Sequence, residues 1–454
     1  MKMNARSNFA VFMFVISVAC NAADVPEVSN VKMSQAADRL VTVTYNLSVA
    51  PAVVTLDIET NCVVDASTTN WISIGGANIQ NVSGDVWKRV ETGSRSIYWQ
   101  ADISWPDRKI KEGGIRAVVT AWALDNTPDY MVVDITASAK ANTQYYYPSE
   151  DFVPGGVLGK PDYRTTSIVM RKIMAKDVSW TMGSTTLETM RQKWREVTHK
   201  VEIANNFYIG VFPVTQAQWD LIQDSRSAPS YFSSAADRAM RPVEQVCYNE
   251  IRNSLNTSAN SEYNYPADPN PVSFLGKLRI RTGIDFDLPS EAQWEFAARA
   301  GNGDTKWGDG SGIMNSVEDA NLGELGRYER NGGRVLSGSS YVNPAQTAGA
   351  ENGTAIVGSY SKNDWGLYDT FGNVWEWCLD WYSENITEID GKINIDPLAP
   401  ANTLVGGSGS SRIVRGGSWS STADYCRPAY RYNSDPATRN SYIGFRLVCT
   451  AGLQ

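Results

Sequence analysis

The sequence predicts two folded units in one chain: a β-sandwich, then a loop-rich α+β domain. Three observations carry that expectation. Short runs with period-two hydrophobicity recur between turn residues up to about residue 137. Helical segments with capping residues begin only beyond residue 200. Of the 36 glycines, 23 lie from Gly301 onward, interspersed with tryptophans.

Residues 1–23 read as a secretory signal. Lys2 and Arg6 form a positive end, and Phe9 to Cys20 is an apolar run too short to span a bilayer as a helix. Ala22 and Ala23 supply small residues for cleavage, so the expected location is secreted or periplasmic. A lipoprotein with Cys20 lipidated ranks second, because Ser17 stands where a large aliphatic is normal. No later apolar run is long enough to span a membrane.

Residues 24–137 are predicted to form the sandwich, of the immunoglobulin/fibronectin kind. VTVTYNL (Val41–Leu47) alternates apolar and polar. In SIYWQADISW, residues Ile97, Trp99, Ala101, Ile103 and Trp105 fall on one face. Ile115–Leu124 and Asp129–Thr136 are two more runs of strand length, and Gly75-Gly76, Ser83-Gly84, Pro106-Asp107 and Gly113-Gly114 supply turns. Core packing explains the aromatics here more simply than a glycan site. Residues 138–164 mix Pro, Gly, Ser and Tyr without periodicity and read as a linker whose Tyr145–Tyr147 run packs on one of the two units.

Residues 165–454 form the second unit. Thr215 opens TQAQWDLI with Gln218 three residues on, the spacing of a capping box. Ser290 opens SEAQWEFAARAG in the same way, with Pro289 before it and Gly301 as the stop. NEIRNSL places Ile251 and Leu255 four apart, which suits a short helix. Beyond Gly301 turns dominate. Ordering loops costs about 1–2 kcal/mol per residue, so aromatic packing, metal ions or disulfides must tether this region.

Composition removes several functions. Lys and Arg total 41 against 49 Asp and Glu, a net charge of −8, and removing the signal makes the chain more acidic. Nucleic-acid binding needs the opposite balance. His199 is the only histidine, which excludes multi-histidine zinc sites and two-histidine iron sites. His199 sits in a predicted strand and reads as structural. Export would put Cys62, Cys247, Cys378, Cys426 and Cys449 in an oxidising space; five is odd, so at least one is free or pairs with another chain.

Seven segments read together narrow the identity of the second unit. They are Thr181–Ser184, Phe207–Trp219, Arg241–Ile251, Asp287–Gly301, Trp365–Trp377, Arg412–Trp419 and Ile443–Val448. Their order and wording resemble the formylglycine-generating enzyme, or sulfatase-modifying factor, family. The resemblance implies a loop-rich, C-type-lectin-like α+β fold with bound calcium. It assigns Asp369 and Glu376 as side-chain ligands and the Gly372 and Val374 carbonyls as backbone ligands, hard oxygen donors that suit Ca²⁺. Asn321 and the Leu322 carbonyl match one edge of a second calcium site, whose remaining ligands fall in extra residues (326–350).

The family oxidises a cysteine of a client sulfatase to formylglycine with O₂, using two cysteines that bind Cu(I). Counting from Gly416-Gly417-Ser418, those positions are Ser421 and Cys426, so one thiol is replaced by a hydroxyl. Cu(I) selects soft thiolates, and one thiolate does not make the two-coordinate site. The family's active-site asparagine is Tyr442 here, whereas Ser418, Tyr425 and Trp375 match active-site positions. Cys426 reads first as a disulfide partner of Cys378 or Cys449, and second as a catalytic thiolate. Arg427, Arg431 and Arg446 are expected to pair with carboxylates and loop carbonyls.

Two functions follow. One is a calcium-stabilised binding or altered-activity member with a cleft at Ser418, Ser421, Tyr425, Cys426 and Tyr442, taking a sulfatase, another extracytoplasmic protein, a peptide or a glycan. The other is a working formylglycine-generating oxidase in which Cys426 acts with another donor, such as Cys378 or Cys449. The family's ergothioneine-making branch needs a histidine iron site, which one histidine excludes.

Overall fold

The computed structural model describes residues 25–63, 69–108, 113–136, 144–188, 190–224, 229–234, 236–253, 267–332, 335–337, 340–342, 352–383, 394–395 and 411–452. The expected signal and Cys20 lie outside the described residues.

The first unit is a sandwich of two antiparallel sheets. One orders its strands Glu27–Gln35, Leu40–Ser48, Gly93–Gln100, Val82–Gly84. The other is built on Ala52–Val63, which pairs with Ile115–Trp122 on one side and with Thr69–Ser73 and Arg89–Val90 on the other. Alternation decides the inward face as expected: Val41, Val43, Tyr45 and Leu47 are buried and the residues between them face outward. The SIYWQADISW expectation holds only to Gln100. Ala101–Ser104 is a helical turn, and Ile103 is exposed. Local hydrogen bonding wins over alternation there: Trp99 Nε1 donates to Ser104 Oγ at 2.8 Å, and that hydroxyl donates on to the Gln80 carbonyl.

A second correction concerns the last expected sandwich strand. Tyr130–Asp134 pairs with Gln144–Tyr147 and with Ser167–Ile173, in a sheet continued by Phe207–Gly210 and Val448–Thr450. It therefore belongs to the second unit's sheet. The expected linker is likewise structured where described. Tyr146 and Tyr147 are buried, and the Tyr146 N–H donates to the Trp87 carbonyl of the sandwich at 2.7 Å. One hydrophobic cluster contains Val43, Leu56 and Trp99 of the sandwich together with Val169, Phe212 and Tyr368 of the second unit.

In the second unit Gln216–Ile222 and Glu291–Arg299 are helices, and both capping boxes form, at Thr215/Gln218 and at Ser290/Gln293. The second helix ends in left-handed backbone at Ala300 and Gly301. NEIRNSL makes a single π-type turn over Asn249–Asn253, while Leu255 lies outside the described residues. Two further helices had readable signals. Phe274–Thr282 follows a Ser273 cap and stops at left-handed Gly283, and Ala320–Leu325 follows an Asp319 cap.

A four-stranded sheet carries the candidate site, in the order Tyr432–Ser434, Arg412–Arg415, Trp375–Trp381, Ile443–Gly444. The tryptophan spacing there is that of a strand. Trp375, Trp377 and Leu379 pack into one core cluster, while Cys378 faces another.

Buried guanidinium groups tie the surrounding loops down. Arg446 donates to both oxygens of Glu376 at 2.6 and 2.7 Å, and to the carbonyls of Gly210 and Tyr368. Arg431 forks onto Glu291 at 2.6 and 2.8 Å. Arg427 pairs with Glu196 at 2.8 and 3.0 Å and also with Glu188. Arg415 pairs with Glu295. Removing one member of a buried pair strands the other charge. Arg446→Ala is thus expected to cost about 3–5 kcal/mol in urea unfolding; a loss under about 1 kcal/mol would mean that Glu376 is satisfied by some other group.

Candidate functional site

The site is assembled on the Gly416–Cys426 turn. Two glycines make the turn possible: Gly416 and Gly417 have φ of +94° and +72°, and a Cβ on Gly417 would collide with Cys426 Sγ. The Asp369–Glu376 loop supports this turn from below. Gly372 N–H donates to the Gly416 carbonyl at 2.7 Å, and Trp419 N–H donates to the Asn373 carbonyl at 2.9 Å.

Ser418 and Ser421 are brought together. Their hydroxyls are 3.0 Å apart, Ser421 Oγ accepts from Ser418 N–H at 3.1 Å, and Ser420 Oγ lies 3.2 Å from Ser418 Oγ. Cys426 is directed differently. Its side chain is fully buried in a cluster with Trp294, Phe371, Ile413 and Ala423, and burial pushes its thiol pKa far up. Cys247, Cys378, Cys426 and Cys449 are all free and buried, which corrects the disulfide expectation. The reason is placement. Cys449 lies on a strand of the five-stranded sheet in another core cluster, and Cys378 Sγ turns back to the Glu376 carbonyl.

These residues do not fit a Cu(I) pair. The hard hydroxyl of Ser421 is engaged with Ser418, and Cys426, at the second family position, is a buried core thiol whose burial disfavours the thiolate. Among the described residues no group of three or more His, Cys, Asp or Glu side chains is placed to hold a metal ion.

The calcium set divides. Asp369 is buried, accepts from Gly358 N–H at 2.7 Å and from the Asn373 amide at 3.1 Å, and burial lifts its pKa to about 6, a cost that a hard cation would offset. Glu376 fits poorly. Arg446 occupies both its oxygens and Trp294 Nε1 donates to one of them at 2.6 Å, so a dication there would face a fixed guanidinium. Asn321 and the Leu322 carbonyl, the second set, both take part in the protein's own hydrogen bonds. The Leu322 carbonyl accepts from Gly326 N–H, and the Asn321 amide donates to the Gly312 carbonyl. Part of the 326–350 segment lies outside the described residues.

Tyr425 and Tyr442 reach Trp375 by different routes, the first through the Tyr430 ring and the second through its backbone carbonyl. The Tyr425 and Tyr430 rings are tilted against each other at 4.8 Å, Tyr430 lies 6.0 Å from Trp375, and Tyr432 lies 5.3 Å from Trp375. The Tyr442 carbonyl accepts from Trp375 N–H at 2.8 Å. Tyr425 is 39% exposed and Tyr432 37%, so a row of four aromatic rings is open to solvent at both ends. Tyr430 and Tyr432 were not expected as site residues. The recurrence of tyrosines in YCRPAYRYN was the available signal. His199 begins a strand and its Nδ1 lies 2.9 Å from the Val197 carbonyl, away from this row's named contacts. Arg427 and Arg431 pair internally as expected.

Residues 167–451 match the family described as the sulfatase-modifying factor enzyme 1-like domain. The chain belongs to this family. It is 36% identical to a formylglycine-generating enzyme of Streptomyces coelicolor over 172 residues, 37% of this chain and 47% of that protein. A chaperone protein, LppX, of Paenibacillus barcinonensis is 28% identical over 258 residues, 54% of this chain and 80% of that protein. Treponema denticola variable protein 1, a solved structure, aligns with a TM-score of 0.44 at 28% identity, covering 63% of this chain and 96% of that one. The chain thus spans about half the length of the Streptomyces formylglycine-generating enzyme. No helix among the described residues is long and apolar enough to cross a membrane.

Burial makes a direct statement about thiol chemistry. Alkylation of the native protein without reductant, followed by peptide mass mapping, is expected to leave Cys247, Cys378, Cys426 and Cys449 unmodified, and unfolding without reductant should expose all four. Disulfide-linked peptides containing Cys426 would refute the free-thiol arrangement.

Proposed function

We propose that this chain is an exported, sulfatase-modifying-factor-like binding protein whose cleft takes an extended peptide, a protein segment or a glycan in place of copper oxidase chemistry. The observation that carries the reading is the pairing at the turn: Ser421 is hydrogen-bonded to Ser418, and Cys426 is a buried core thiol. What remains at the surface is Tyr425 and Tyr432, the exposed ends of a row that runs through buried Tyr430 and Trp375, with the partly exposed Ser420 and Ser421 on the neighbouring turn. Rings and hydroxyls together suit a ligand with flat apolar faces and polar edges. A relative that bears the name of a chaperone supports a role in binding.

The second reading is a formylglycine-generating oxidase acting on a client sulfatase. Its support is the 36% identity to the Streptomyces enzyme. One experiment separates the two. The purified protein is incubated with Cu(I), O₂ and a peptide containing a CxPxR motif, and the peptide is weighed. No thiol-to-aldehyde conversion and no retained copper are expected. Conversion at the peptide cysteine would overturn the binding reading. The same protein is screened on peptide and glycan arrays beside Tyr425→Ala/Tyr432→Ala. The double variant should lose at least about tenfold in retention of whatever the parent holds, since exposed aromatic contacts of this kind carry much of a site's affinity.

Calcium enters this proposal only as a stabiliser at Asp369, with the Gly372 and Val374 carbonyls as the backbone donors that the family pattern assigns. Adding a calcium chelator should then lower the melting temperature by several degrees. An unchanged melting temperature would remove calcium from the reading.

A further inference from the structure

A groove of about 560 Å³ lies where the sandwich meets the segment that follows it, well away in sequence from the cleft. Its size falls in the range of ligand sites. One wall is Asn81, Val82, Ser83 and Gly84. Successive residues of a strand point to opposite faces, so a groove lying over one face would touch every second residue. Contact with four in succession means that the groove runs along the strand's edge.

That edge is open. Among the described residues Val82–Gly84 pairs only with Gly93–Gln100. The flanking hydrogen bonds show which groups point outward. Gln100 N–H donates to the Asn81 carbonyl at 3.2 Å, and Asp85 N–H donates to the Ser96 carbonyl at 2.9 Å. Odd-numbered positions therefore bond into the sheet, and Val82 and Gly84 turn their N–H and C=O groups toward the groove. An edge left in this state is a template for another strand.

The rest of the lining has a chemistry of its own. Trp87, Tyr145, Tyr147 and Phe152 supply rings, with Trp87 5.3 Å from Tyr147 and 6.0 Å from Phe152. Trp87 holds φ at +61°, a conformation bulky residues rarely adopt, and Asn81 holds +55°. Lys88 and Lys160 line the groove and no Asp or Glu does, on a chain whose net charge is −8.

We propose that this groove binds an extended, acidic peptide segment of another protein as an added strand along Val82–Gly84, its carboxylates facing Lys88 and Lys160 and its apolar side chains meeting Tyr145 and Trp87. Backbone pairing would give the affinity, and the two lysines with the rings would give the selectivity.

The test is fluorescence anisotropy with the full chain and a labelled octapeptide that alternates glutamate with tyrosine. Saturable binding is expected. It should weaken at least about tenfold when lysine replaces glutamate, and as much when alternate backbone nitrogens of the probe are methylated, which removes the pairing donors. Lys88→Glu/Lys160→Glu and Val82→Pro should each reproduce that loss; proline is tolerated on an edge strand, and the methylated probe makes the same test on the unaltered chain. Equal affinity for the methylated probe would overturn strand addition. No binding of the acidic peptide, or binding of a galacturonate oligosaccharide in its place, would overturn the proposal.

Discussion

Arg252, Arg415, Arg427, Arg431 and Arg446 carry positive charge into a region with little regular structure, and each is at most 3% exposed. Each guanidinium is planar, keeps its charge at any ordinary pH, and can satisfy a carboxylate with two parallel hydrogen bonds. Arg446 joins Glu376, Gly210 and Tyr368, which lie on three different segments. Arg427 draws the Glu188–Glu196 segment onto the Gly416–Cys426 turn. These contacts specify one arrangement among the many that loops could adopt, because any rearrangement would leave a buried charge unpaired.

The candidate cleft inherits its shape from those tethers. Glu376 is held by Arg446 and Trp294, which fixes the strand bearing Trp375. Trp375 then sets where Tyr430 and Tyr432 can stack. The Asp369–Glu376 loop, through Gly372 and Asn373, fixes the turn bearing Ser418 and Ser421. The exposed Tyr425 and Tyr432 and the serine turn are thereby positioned by groups that hardly reach solvent.

How far the sequence could be read depended on the range of the interaction. The helices capped by Thr215 and Ser290 were legible because a capping box lies within four residues. The strand character of Tyr130–Asp134 was legible from its apolar run, but its sheet was not, since pairing with Ser167–Ile173 leaves no local mark. Trp375, Trp377 and Trp381 read as core residues at near-helical spacing; Trp375 and Trp377 are core, but the segment is a strand, because its sheet partners leave no local mark. Pairing of Arg427 was anticipated, but its partners, Glu188 and Glu196, lie more than 200 positions away in sequence. Expected export and a shared domain suggested a bond from Cys426 to Cys378 or Cys449 that geometry does not make, because the Cys426 sulfur is packed against Gly417.

The hydrophobic cluster that spans both units bears on how the molecule can change over time. Val43 and Trp99 share their apolar environment with Val169 and Phe212. Neither unit could be lost, swapped or shuffled by recombination without uncovering oily surface on the one left behind. The sandwich and the second unit therefore share one apolar core, and a substitution on the buried face of either is felt by both.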